Sequence, residues 1–113
     1  LYFSADNGTN GDELWKSDGT TSGTVLVKDI NPGANPSNPD EFFNFNNTLY
    51  FSADNGTNGD ELWKSDGTTS GTVLVKDISP GGDSSYPGDF ININNTLYFR
   101  AEDATSSELW KSD

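Results

Sequence analysis

Apolar residues along this chain come in short runs between polar ones, and no segment repeats at the 3.6-residue spacing of a helix. The runs "EFFNFN", "TLYFSA", "ELWKS" and "TVLVKDI", at 41–46, 48–53, 61–65 and 72–78, are rich in aromatic and β-branched residues and are bounded by Gly, Asn, Asp and Pro. They predict four strands. Only Asn46 and Asn47 separate the first two, and because Asn tolerates positive φ the pair predicts a two-residue type I′ hairpin turn. The stretch "NPGANPSNPD" at 31–40 carries three prolines and is too stiff for a tight hairpin, so it predicts the passage from one sheet to the next.

The pattern recurs with a period of 48. Residues 1–48 and 49–96 align without a gap, and their nine differences all fall between positions 31 and 45. Residues 97–113 begin a third copy, one residue shorter between "LYF" and "ELW". Repeats of this length signal solenoids, propellers or arrays. Residues 1–30 are read as the last three strands of one unit, 41–78 as a complete four-stranded unit and 90–113 as the first three strands of another. Residues 31–40 and 79–89 connect them. "TVLV" is apolar on both faces of its strand, and Phe42 and Phe43 point to opposite faces, so the complete sheet is expected to lie between two others. Phe43 and Phe45, like Ile91 and Ile93, are two apart and are expected to share a face.

The fold class expected is all-β, with antiparallel four-stranded meander blades of a β-propeller present as a fragment, one complete blade flanked by two partial ones. Because the sequence starts inside a predicted strand and stops inside a predicted turn, it reads as an excerpt, unstable alone through its apolar outward faces. The partners expected for those faces are further blades of the same parent chain or symmetry copies.

"ELWKSDGT", preceded by "LYFSA" and followed by "GTVLVKDI", resembles the ELWxxDGT repeat found in tandem in bacterial secreted and surface proteins. The resemblance spans the whole chain, although the third copy ends at "ELWKSD". It implies a propeller-like fold and an extracellular or cell-surface location, and it brings no catalytic residue with it.

Charge narrows the function. Eighteen acids against six basic residues give a net charge of −12, which opposes nucleic acid and anionic membranes, whose phosphates call for Lys and Arg. No stretch approaches the roughly 20 apolar residues of a membrane span. With no Cys and no His, thiolate and imidazole chemistry are excluded within these residues.

Among the motifs, the Trp of each "ELWKSD" (Trp15, Trp63, Trp110) is read as core packing between sheets in preference to a sugar platform. Asp18-Gly19 and Asp66-Gly67 read as turns, and Lys16, Lys28, Lys64 and Lys76 as partners for neighbouring acids. "DNGTNGDE" has the oxygen-rich look of a Ca²⁺ loop, but Gly8 and Ser17 stand where EF-hand ligands belong, and the third copy, "EDATSSE", loses both glycines and every Asn. No cofactor is therefore expected, with Ca²⁺ as the alternative to a plain hairpin loop.

In a propeller blade the loop between the second and third strands shares a rim with the crossover to the next blade. These are the segments in which the copies diverge, and variable loops on a rigid scaffold are where binding usually resides. The candidate binding rim comprises Asp6, Asn7, Asn10, Asp12, Asn35, Asn38, Asp54, Asn55, Asn58, Asp60, Asp83, Tyr86 and Asp89. The function expected is a non-catalytic extracellular scaffold for binding or adhesion, with a glycan or protein ligand. The alternatives are a fibre- or sheath-forming array and a propeller hydrolase whose active site lies outside these residues.

Overall fold

The computed structural model describes residues 1–113, which form ten strands and no helix. β1 (Tyr2–Asp6), β2 (Asp12–Lys16) and β3 (Val25–Lys28) make the first sheet. β4 (Asp40–Phe45), β5 (Thr48–Asp54), β6 (Asp60–Ser65) and β7 (Val73–Lys76) make the second. β8 (Gly88–Ile93), β9 (Thr96–Glu102) and β10 (Ser107–Ser112) make the third. Every sheet is an antiparallel meander in which sequence neighbours pair. The hairpin expected at Asn46 and Asn47 is present: Phe45 pairs with Thr48, and the two asparagines take φ of 51° and 63°. Asn94 and Asn95 repeat this turn, both again at positive φ.

The apolar pattern on both faces of the second sheet has a direct consequence in packing. One face sets Leu49, Phe51, Ala53 and Trp63 against Leu14, Val27 and Ile30 of the first unit. The other sets Phe45, Tyr50, Leu62 and Ile78 against Leu97, Phe99 and Ala101 of the third sheet. Phe51 is fully buried, a placement that stabilises by about 2–3 kcal/mol. Phe42 meets Phe51 on the first face, with ring centroids 6.1 Å apart, while Phe43 meets Phe90 on the second at 6.0 Å. Neighbouring residues of one strand thus face opposite layers, and Phe43 and Phe45 share one layer as their spacing demands.

The two layers are the same contact made twice. The face carrying Leu97, Phe99 and Ala101 is the counterpart, 48 residues on, of the face carrying Leu49, Phe51 and Ala53, and each packs on the opposite kind of face in the preceding unit. The packing is head to tail, so the outermost faces are left bare. Leu14 and Leu62 are 0% and 1% exposed, whereas Leu109, in the same place of the third sheet, is 77% exposed. Ile91 and Ile93 lie on that bare face and Leu1 on the other. Between sheets, the first strands β4 and β8 make the most extensive backbone approach.

Two of the lysines have a further task beside the one expected. Lys16 donates to the Gly67 carbonyl at 2.7 Å and Lys28 to the Thr72 carbonyl at 2.9 Å, so they fasten the first sheet to the "SDGTTSG" turn of the second and to the residue that follows it. Neither stands within ion-pair distance of an acid, although, after the Thr68 hydroxyl and amide, the Lys16 charge helps hold the Asp66 carboxyl below its ordinary value. The ion pair of the molecule is Arg100 with Asp89, at 2.9 Å.

Candidate functional rim

The loop between β1 and β2 and the crossover after β3 lie together at one edge of the sheets. Gly11, at φ 74°, brings the first loop so close to the crossover that a Cβ there would stand 2.8 Å from the Asn35 carbonyl carbon. Gly59 repeats this with the Asp83 carbonyl oxygen at 2.7 Å. Only glycine fits a left-handed backbone against another backbone, which accounts for the second Gly of "NGTNG".

A residue that the sequence reading passed over holds this edge together. Glu13, at the start of β2, is fully buried. Its carboxylate accepts the Ile30 N–H at 2.8 Å, the Asn31 N–H at 3.3 Å and the Ser37 hydroxyl at 2.6 Å. Glu61 does the same with Ile78, Ser79 and Ser85 at 2.8, 3.2 and 2.6 Å. One side chain thus catches the crossover where it leaves a sheet and again where it reaches the next. Burial pushes both glutamates above their ordinary carboxylate value, against the opposing pull of the serine hydroxyl and the two amides.

The serine completes the clasp through its backbone. Ser85 donates its N–H to the Asp60 carbonyl of β6 at 2.8 Å and accepts the Glu102 N–H of β9 at 2.7 Å, bridging two sheets. Ser37 bridges Asp12 and Asp54 in the same way, both at 2.9 Å. A Glu inside an apolar strand run with no basic residue opposite was the available signal, but its partners lie 17 to 24 positions further on.

Six candidate rim residues are engaged in and around their own hairpin loops. Asp6 accepts the Gly8 N–H, Asn7 accepts those of Thr9 and Asn10, Asn7 donates to Asn10, and Asn10 reaches Asp29 at 3.1 Å. Asp54, Asn55, Asn58 and Asp77 repeat the set. These side chains close their own hairpin loops, and no group of three carboxylates is placed to hold a metal ion. In the third copy the shorter loop closes by another route, with Asp103 accepting from Thr105 and Ser106.

Asn38, Asp60 and Tyr86 are the candidates brought to one place. With Asp40, Glu41, Ser52, Pro87 and Arg100 they line a pocket of about 290 Å³ between the second and third sheets. Asp89 joins its margin through Arg100. Asn35 and Asp83 lie in the crossovers against the glycine loops, and Asp12 enters through its carbonyl.

Trp63 is 5% exposed within the core, so it is no platform for a sugar. Comparison with protein-family models, curated proteins and solved structures finds no match to this chain.

Proposed function

We propose that these residues are blades of a β-propeller that serves outside the cell as a non-catalytic scaffold, presenting its variable rim to a glycan or protein ligand. The clasp carries the reading: Glu13–Ser37 and Glu61–Ser85 tie each variable crossover to the sheets on either side, making a rigid mount for changing side chains. The resemblance to ELWxxDGT repeats supports an extracellular site. The close approach of β4 and β8, the first strands of the second and third sheets, supports a ring rather than a straight fibre. In this reading further units of the same kind, from one chain or several, cover the bare faces.

The test is binding of the full chain to glycan and peptide arrays. Tyr86→Ala and Asn38→Ala are expected to cut the captured signal at least about fivefold, while Asp66→Ala, on the opposite edge, leaves it intact. A signal lost through Asp66→Ala but indifferent to Tyr86→Ala would remove the rim reading. Electron microscopy separates the two assemblies, since open filaments would favour the fibre.

A further inference from the structure

In the pocket between the second and third sheets, two polar side chains of the lining make no hydrogen bond within the protein. Ser52 is 7% exposed and lines the pocket, and its hydroxyl makes no hydrogen bond within the protein. Asp60 lines the same wall; its backbone N–H bonds to Ser84, but its half-buried carboxylate has no donor. Burial, and then the neighbouring charge of Asp54, push this carboxyl above its ordinary value. Both groups line the pocket with their accepting oxygens unused within the protein, so an entering donor gains a hydrogen bond at each.

The lining identifies the donor. Asp40, Glu41 and Asp60 supply three carboxylates; Asp40 accepts the Glu41 N–H, and Arg100, bonded to Asp89, also lies near the Glu41 charge, which leaves Asp60 as the acid without a partner. The acids do not converge on a point where a bare metal ion would sit. They surround a volume suited to a cationic head on a carbon stem. Tyr86, 54% exposed, adds an aromatic wall. A neutral sugar hydroxyl would donate to Asp60 but bring no charge to offset the three acids, whereas an ammonium does both.

Resting on the rim reading above, we propose that this pocket binds a primary ammonium group, as on a lysine side chain or a free alkylamine. Asp60 is its ion-pair partner, Ser52 accepts one of its N–H bonds, and Tyr86 covers the stem. Where the third unit contributes Tyr86 and Arg100, the second unit has Asn38 and Ser52, so the aromatic wall belongs to this junction and not to the one before it.

The test is an amide NMR titration of the full chain with butylammonium chloride. Saturable shifts are expected at Ser52, Asp60 and Tyr86, with a Kd of about 1–10 mM. Asp60→Asn is expected to weaken binding about tenfold and Tyr86→Ala about threefold. Neither side chain bonds within the fold, so both variants should keep the native spectrum. A short lysine peptide should reproduce the shifts and its Nζ-acetylated form should not; whichever of peptide and amine binds tighter identifies the source. Shifts spread over the acidic surface and indifferent to Asp60→Asn would overturn the proposal. So would silence toward amines in a chain that still shows Tyr86-dependent capture on arrays, an outcome that spares the rim reading. Silence in both experiments would sink both.

Discussion

Glu61 and Asp66 stand five positions apart in one repeated word, "ELWKSD", and the fold gives them opposite surroundings. Glu61 is sealed at one edge of the sheets and binds groups 17 to 24 residues away. Asp66, exposed at the other edge, binds only its own turn: the Thr68 N–H at 2.9 Å and the Thr68 hydroxyl at 2.6 Å. The turn wraps so tightly that a Cβ on Gly71 would collide with that carboxylate. One acid is a fastening between units and the other a fastening within a strand pair. Stability should therefore concentrate at the clasp, where lost bonds leave buried amides without water, and be thin at the turn, where water replaces them.

The largest expected effect comes from Glu61→Ala, which strands the Ile78 and Ser79 amides and the Ser85 hydroxyl. Relief of a buried charge offsets part of the loss, leaving about 3 kcal/mol of destabilisation by denaturant unfolding. A loss no greater than that of Asp66→Ala would erase the distinction between the two edges. Gly59→Ala should cost about 2 kcal/mol, since a Cβ meets the Asp83 carbonyl and the backbone is left-handed. Ser85→Ala should cost about 1.5 kcal/mol, because the backbone bridge from Asp60 to Glu102 survives the loss of the hydroxyl. The order Glu61, Gly59, Ser85 is itself the check on the clasp.

The same contrast explains what was legible in the sequence. Strands, the Asn-Asn hairpins and the Asp-Gly turns follow from neighbouring residues, and strand alternation alone puts Phe42 and Phe43 on opposite layers. Pairings that close over a long stretch of chain were not legible. Glu61 looked like an ordinary acid because Ser85 and the Ile78 amide become its neighbours only once the crossover folds back. Lys16 looked like a partner for nearby acids because the Gly67 carbonyl, 51 residues away, is invisible in the pattern. On the rim, composition marked the acids and amides as available, but short-range bonding takes up those of the two hairpin loops. Of those left free, Asn38, Asp60 and Tyr86, with Ser52 beside them, are set apart by the stacking of two sheets.

The smallest effect expected is a difference in sign with pH, and it sharpens the comparison most. Glu13 and Glu61 have folded values raised above 4.5 by burial. Folding therefore takes up protons at these groups, and their contribution is fully present below that ordinary value and lost as pH rises through the raised one. Asp18 and Asp66 have folded values lowered below 3.8, first by the threonine hydroxyl and then by the threonine amide. Their contribution is present above that ordinary value and lost as pH falls through the lowered one. Acidification should thus first strengthen the clasp and then weaken the turns. Relief of repulsion among the remaining acids has the same sign as the glutamate effect, so the wild-type curve alone cannot separate them. The measurement is unfolding free energy against pH for the wild type, Glu13→Gln/Glu61→Gln and Asp18→Asn/Asp66→Asn. The glutamine variant should lose slope above 4.5 and the asparagine variant below 3.8. If both pairs changed the slope in the same window, the two acids would share one environment and the division between the edges would fail.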